Sequence, residues 1–267
     1  FLRIHLSIIM KVRVLASGSK GNCILVSSQE SAILVDAGLS LKRLKEILFD
    51  IDFPIQNIQA VIISHEHSDH IKGAGAVVRH LGIPLYVNES TYIAGESRFG
   101  RIREVNFFEN GTRFTMQNFL IEPFSVPHDS ADNSCFLISE RSNASKLAVL
   151  TDLGYPTKLV KQKMKSPSTI ILESNHDIDM LINGSYAWWL KQRVKGKNGH
   201  LSNLQASELV DEILHDGLKN IVLAHLSETN NEPELAYSAM KRFLASKKAK
   251  CNLFVAGQHQ PTEWIEV

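Results

Sequence analysis

The sequence predicts an α+β protein in which two mixed β-sheets pack face to face and helices cover their outer sides. Three observations lead to that class. Strand-length apolar runs follow one another directly near the start of the chain and again in its middle, then give way to strands alternating with amphipathic stretches. No linker-like run of Pro, Gly or Ser divides the 267 residues, so residues 10–267 are expected to form one domain behind an N-terminal extension, 1–9. The residues that carry chemistry stand at the ends of the apolar runs, where loops gather into a site.

An apolar fraction of 44% and a charged fraction of 21% are those of an ordinary folded domain and exclude a disordered chain. Twenty-nine Lys and Arg nearly cancel 28 Asp and Glu, so any attraction for nucleic acid must come from a local field. Cys23, Cys135 and Cys251 are odd in number, far apart and outside any CxxC pair. They read as small buried residues in a reducing cytoplasm. The apolar start, Phe1 to Met10, is too short to span a bilayer and lacks a small-residue cleavage site, so no membrane anchor is expected. Met10-Lys11-Val12-Arg13-Val14-Leu15 is the natural opening, since its alternation begins the first strand.

Val12 to Ala16, Cys23 to Ser27 and Ala32 to Val35 are expected as a three-stranded meander. The turn formers Ser17-Gly18-Ser19-Lys20-Gly21-Asn22 and Ser28-Gln29-Glu30-Ser31 separate them. The first lacks a Lys-Ser/Thr pair and precedes a strand, so it is a tight turn rather than a phosphate loop. Asp36 closes the third strand ahead of the amphipathic stretch Leu41 to Leu48, either as a helix cap or as a support to the site. Ala60 to Ser64 is a strand buried on both faces, and Ile71 to Leu81 a helix stopped by Gly82. A strand at Pro84 to Val87 and a short helix at Glu89 to Glu96 follow. A second meander, Arg103 to Phe108, Thr112 to Met116 and Phe119 to Val126, ends at Pro127-His128-Asp129. Strands at Phe136 to Ser139 and Leu147 to Leu150 lead to Thr151-Asp152, and Thr169 to Leu172 ends at Glu173. Helices are expected at Pro156 to Lys165, at Tyr186 to Val194, behind the capping box Ser202 and Gln205, and from Pro233. Between the last two, Asn220 to Ala224 is a strand ending in His225. Leu253 to Ala256 is the last strand, and Gln258-His259-Gln260-Pro261 a solvated tail.

Ser64-His65-Glu66-His67-Ser68-Asp69-His70 is the densest chemistry in the chain. Three imidazoles and a carboxylate after a buried strand are poor packing material, because each needs its own polar partner. Metal binding explains them. With His128, Asp152 and His225 they make five imidazoles, two carboxylates and no thiolate. That set suits Zn, Mn or Fe(II) and is large enough for two divalent ions. Both rings of His65-x-His67 can turn to one ion, while adjacent Asp69 and His70 point elsewhere and can hold another. Two ions ~3.5–4 Å apart form the clamp used for in-line phosphoryl displacement.

His65-Glu66-His67-Ser68-Asp69-His70 resembles the HxHxDH motif of the metallo-β-lactamase superfamily, and the later candidates follow in that superfamily's order over most of Met10 to Ala256. The resemblance implies a four-layer αββα sandwich. It also implies one site of His65, His67 and His128, a second of Asp69, His70 and His225, Asp152 bridging, and Asp36 behind them. Ile170 to Glu173, Gly199-His200-Leu201-Ser202 and Val222 to Ser227 further resemble ribonuclease Z and its phosphodiesterase relatives, where Glu173 and His200 would form a pair. A carboxylate orienting an imidazole suits a proton donor to a leaving alkoxide. The short stretch from His128 to Asp152 has no room for the substrate arm of ribonuclease Z, and that from Asp152 to His225 none for a β-CASP insertion. What remains is similar to the compact WalJ (YycJ)-like branch, on Ser17 to Cys23, Glu173-Ser174-Asn175-His176-Asp177, Gly199 to Asn203 and His225 to Asn231. That branch implies a bacterial cytoplasmic enzyme degrading DNA as a 5′-to-3′ exonuclease.

On this reading a hydroxide between two ions attacks phosphorus, Asp69 takes its proton, and His200, supported by Glu173, assists the leaving oxygen. Lys191, Arg193, Lys195 and Lys197 lead up to His200 and are candidate phosphate contacts. One of Trp188 and Trp189 is placed to stack on a base, the other expected in the core. Lys158, Lys161, Lys163 and Lys165 read as a solvated face. Other classes stay open: an RNA-processing nuclease, a hydrolase of a small cyclic or phosphonate-linked phosphodiester or, more remotely, a thioester, and a non-catalytic metal-bound regulatory protein. The metal and the oligomeric state, a homodimer among the options, are not fixed by sequence.

Overall fold

The computed structural model of the protein describes residues 10–28, 31–140 and 145–267. The extension expected at 1–9 and the middle of the turn expected at 28–31 lie outside them. The first half of the chain runs β1 (Lys11–Ala16), β2 (Cys23–Ser28), β3 (Ser31–Val35), α1 (Leu41–Asp50), β4 (Ile58–Ile62), α2 (Ser68–Ile71), α3 (Ala74–Leu81), β5 (Leu85–Val87), α4 (Glu89–Phe99) and β6 (Val105–Phe107). The second runs β7 (Phe114–Met116), β8 (Phe119–Ser125), β9 (Ser134–Glu140), β10 (Lys146–Leu150), α5 (Lys158–Lys163), β11 (Thr169–Glu173), α6 (Ile178–Asn183), α7 (Trp188–Val194), α8 (Asn203–Ile213), β12 (Asn220–Ala224), α9 (Pro233–Ser246), β13 (Asn252–Val255) and β14 (Ile265–Glu266).

The strands form two seven-stranded sheets, ordered β14-β1-β2-β3-β4-β5-β6 and β13-β12-β11-β10-β9-β8-β7. Each is antiparallel toward one edge and parallel toward the other, the change falling at the β3 and β4 pair in the first and at the β10 and β11 pair in the second. Period-two alternation explains why they stack. On β3 and β4, Ile33, Val35, Ala60 and Ile62 face the opposing sheet's Ile171, Val222 and Ala224. Leu34, Val61 and Ile63 face the other way, onto Leu44 and Ile47 of α1 and Val77 of α3. On the second sheet Ile170, Leu172 and Leu223 do the same against α5, α8 and α9. Helix, sheet, sheet, helix is the αββα sandwich, and fully burying each such aliphatic side chain stabilises it by roughly 1.5–3 kcal/mol.

Four expectations are corrected and one helix was not expected. The stretch around Arg103 to Phe108 does not open a second meander: β6 pairs in parallel with β5 in the first sheet, and Gly111, at φ 93, helps the chain turn across to β7. The helix expected from Ile71 breaks, because Gly73 packs so closely that a Cβ there would lie 1.7 Å from the Leu39 carbonyl oxygen. α6 begins unannounced at Asp177, whose carboxylate accepts from the amides of Asp179 and Met180. The tail is not free: the Gln258 side chain accepts from the Lys20 amide and donates to the Gly21 carbonyl, and β14 pairs with β1. Trp188 and Trp189 are both outside the core, 71% and 67% exposed.

Candidate metal centre

The site lies where the parallel strands of both sheets end. β3 delivers Asp36, β4 the loop bearing His65, His67, Asp69 and His70, β10 Asp152, β11 Glu173 and β12 His225, while His128 follows β8. Asp36, Asp152 and His225 adopt left-handed backbone, at φ 59, 58 and 55. That conformation costs a non-glycine residue roughly 1–3 kcal/mol unless its surroundings impose it. Here they do: the Asp36 amide donates to the Ile62 carbonyl, the His225 amide to Ser17 Oγ, and the Asp152 carbonyl accepts from Asn133 Nδ2.

Each of the five candidate histidines has one ring nitrogen tied to the protein and the other turned to a common space. His70 Nδ1 donates to Asp36 at 2.7 Å and His225 Nδ1 to Glu173 at 2.9 Å. His128 Nδ1 donates to the Gly199 carbonyl and His67 Nε2 to that of Asp129, both at 3.2 Å. His65 Nδ1 lies 3.0 Å from Ser64 Oγ. Carbonyl acceptors fix the protons of His67 and His128 on their outer nitrogens, so His67 Nδ1 and His128 Nε2 face each other as lone pairs across 3.3 Å. His65 Nε2 and His225 Nε2 are buried without a hydrogen-bond partner, and Asp152 Oδ2 has only the His70 ring near it, at 3.2 Å. Unpaired buried acceptors are costly, and converging ones call for a cation.

The ligand atoms of His65, His67 and His128 lie within 4.8 Å of one another, as do those of Asp69, His70 and His225, and those of His65, His70 and Asp152. The residues present would therefore fit divalent ions, and Asp152 stands beside one member of each of the first two groups. Glu173 belongs elsewhere, although it lies in a further group with Asp152, His200 and His225. Its Oε1 accepts from His200 Nδ1 at 2.7 Å and from His225 Nδ1, and its Oε2 from the amides of Leu153 and Leu201, so no lone pair is left for a metal.

Charge reinforces the division. Burial pushes His65 and His128 down. Burial also opposes charge on His70, but Asp36 and Asp152 outweigh it and raise the ring's pKa. His225 rises to about 10, with Asp152, Asp69 and Glu173 overcoming burial. Burial favours neutral carboxyls, yet His225 and His70 hold both Asp152 and Asp69 below the ordinary carboxylate range. Glu173, against burial, is drawn to about 2 by His200 and His225, and His200, against burial, is raised by Glu173.

A cleft of about 550 Å³ opens over these residues between α4 and α7. His200 lines it with a fifth of its side chain exposed. Of the four candidate phosphate contacts only Arg193 lines the cleft, and it is ion-paired with Asp129. Lys191 donates to the Ile182 carbonyl, Lys195 lies 5.4 Å from the centre of the Trp188 ring, and Lys197 is outside the cleft lining. Asp36 is no helix cap, since Ser40 caps α1; it accepts from the amide and hydroxyl of Ser64 and holds His70. Sequence reasoning missed Asn22, whose side chain closes its own turn on Gly18 and reaches Asp69 Oδ2 at 3.1 Å and His70 Nε2 at 3.0 Å. It also missed Arg98 on the α4 wall, for which the run Arg98, Arg101, Arg103 was the available signal.

Fold, strand-end histidines and the shared carboxylate define a metal-binding αββα hydrolase. A model of the metallo-beta-lactamase superfamily matches residues 16–137, and the chain belongs to that superfamily. Its relatives include Exodeoxyribonuclease YycJ of Bacillus anthracis, 38% identical over 236 residues, or 88% of this chain and 89% of that protein. Exodeoxyribonuclease WalJ of Streptococcus pneumoniae is 37% identical over 239 residues, 88% of each. These likenesses bear out the compact branch expected from the scattered motifs. Among solved structures the metallo-beta-lactamase fold protein YhfI from Bacillus subtilis superimposes with a TM-score of 0.71 at 19% identity, over 95% of this chain and 99% of that one, and supports the fold. Membership implies divalent metal ions. No helix among the described residues is long and apolar enough to cross a membrane.

Proposed function

We propose that this protein is a dimetal phosphodiesterase that degrades DNA as an exonuclease, in the 5′-to-3′ direction. The observation that carries the reading is the Glu173 and His200 pair, held at 2.7 Å beside the cage and facing the cleft. The names of the relatives covering most of the chain support DNA as substrate. His65, His67 and His128 would hold one cation, Asp69, His70 and His225 a second, and Asp152 both. Divalent ions bound there lower the pKa of water toward ~7 and draw charge from a phosphoryl oxygen.

The chain's own residues do the rest. His200 Nδ1 donates a hydrogen bond to Glu173, which leaves Nε2 as the other nitrogen of a ring that lines the cleft. Glu173 raises its pKa against burial, which favours the protonated ring that a donor to a leaving oxygen needs. Glu173 orients that ring and His225 together. Asp69, held below the ordinary carboxylate range, is a weak base, which favours a ligand's part over that of proton acceptor. Zn, Mn and Fe all suit the nitrogen and oxygen donors.

The test is an assay with end-labelled DNA, end-labelled RNA and a chromogenic phosphodiester under Mn or Zn. Mononucleotides released from DNA 5′ ends, with RNA cut slowly, are expected. Hydrolysis of the small diester alone would overturn the nuclease reading.

A further inference from the structure

α7 exposes two adjacent indoles that nothing among the described residues covers. Trp188 and Trp189 are 71% and 67% exposed, whereas Trp264 packs against Phe53 at a ring separation of 5.9 Å. Helical spacing distributes them. Trp189 stands four residues before Arg193 and so shares its side, next to the cleft that Leu190, Arg193 and Val194 line. Trp188 shares a side with Lys191 and Lys195, whose ammonium lies 5.4 Å from the Trp188 ring centre. Two aromatic faces therefore alternate with three cations along α7 and its C-terminal cap Lys195 at the cleft mouth, Arg193 being shared with Asp129.

Such exposure is costly for an isolated soluble domain and marks a surface with an occupant. A second copy of this chain is a poor one. A two-fold contact centred on α7 would set Lys191, Arg193 and Lys195 against their own equivalents. A polyanion carrying flat bases matches both features, because indoles stack on bases and the cations track phosphates.

We propose that α7 is a stacking rim for an unpaired nucleic-acid strand, with Trp189 and Trp188 receiving successive bases just outside the cleft while Arg193 and Lys195 meet their phosphates. The proposal rests on the nuclease reading and adds a preference to it. Paired bases hide their faces inside the duplex, so a single-stranded end is captured more tightly than a blunt one.

The experiment compares the metal-loaded parent chain with the double variants W188A/W189A and W188F/W189F on a 5′-phosphorylated oligothymidylate, a blunt duplex and bis(p-nitrophenyl) phosphate. The alanine pair is expected to raise KM for the oligothymidylate roughly 10- to 100-fold with little change in kcat, and the phenylalanine pair to recover most of it. Turnover of the small diester, which does not reach the rim, reports that the centre is intact in each protein. An unchanged KM for the single strand, or an equal loss on the duplex, overturns the proposal. So does a change from dimer to monomer in solution with KM unaltered, which would make α7 an interface between copies. If the parent cuts no DNA but oligothymidylate still quenches its indole fluorescence and the alanine pair abolishes that quenching, the nuclease reading fails and the rim stands. Cutting without quenching means the reverse.

Discussion

In the first sheet β3 is the strand at which antiparallel pairing gives way to parallel, and it ends at Asp36; in the second β10 holds that place and ends at Asp152. Both aspartates are left-handed, and each is followed two residues later by a glycine pressed against a loop that bears a site histidine. A Cβ on Gly38 would lie 1.6 Å from the Asp69 carbonyl oxygen, and one on Gly154 2.0 Å from that of Lys197. The turns match, but the carboxylates are used differently. Asp36 spends its oxygens on Ser64 and His70, while Asp152 turns both of its oxygens to candidate ligand rings, Oδ2 at 3.2 Å from His70 and Oδ1 at 3.7 Å from His128 and 3.4 Å from His225. Backbone position thus brings an aspartate to the centre, and its neighbours decide whether it supports a ligand or is one.

Substitutions can break that contrast. Asp152→Ala is expected to lose both metal and hydrolysis, by more than ~10³-fold in turnover, checked by metal content of the purified protein beside the nuclease assay. An equal loss of bound metal in Asp36→Ala would erase the distinction. His200→Ala should keep its metal and lose roughly 10²–10⁴-fold in kcat; depletion of metal would show that the ring is a ligand instead. Glu173→Gln disturbs His200 and His225 together, so a fall of about 10–100-fold in kcat should come with weaker binding of one metal equivalent in a chelator competition. Asp36→Asn, which keeps shape and touches one ligand, should weaken metal by about tenfold, at the low end of such effects.

The smallest effect concerns protons. Imidazolium cannot ligate a metal, so a ring with a raised pKa must give up its proton on loading. His225, at about 10, is charged near pH 7 and His70 is raised as well, whereas burial lowers His65 and His128. Affinity for the ion at Asp69, His70 and His225 should therefore climb as pH rises from 6 toward 10, with proton release into a weakly buffered solution. The ion at His65, His67 and His128 should show a shallower dependence. Two identical pH profiles would contradict the assignment of charge.

Much of this was legible before any coordinates. The histidine cluster is contiguous, and Asp152, Glu173 and His225 each close an apolar run, so period-two patterning located them even without contacts. The two sheets followed from the same runs. What stayed hidden depends on tertiary partners. β6 has only three residues, too few for alternation to show which sheet it joins. Asn22 reads as a turn former because its side chain does close a turn, and its reach to Asp69 comes from a backbone 47 residues away. A tryptophan on a short helix looks the same in sequence whether it is packed or exposed, and expecting one of the pair inside followed average burial.

Each candidate ligand set draws on both halves of the molecule. His65 and His67 come from the first sheet's β4 loop and His128 from the second sheet's β8 end; Asp69 and His70 belong to the first, His225 to the second. A cation in either set is then a rivet across the seam, and its uptake is mechanical as well as chemical. Loading should slow amide hydrogen exchange along the buried strand ends at Ile62 and Ala224, which face the seam from opposite sides. Stripping the metal should let the sandwich part first at its open end, while the antiparallel edges stay closed.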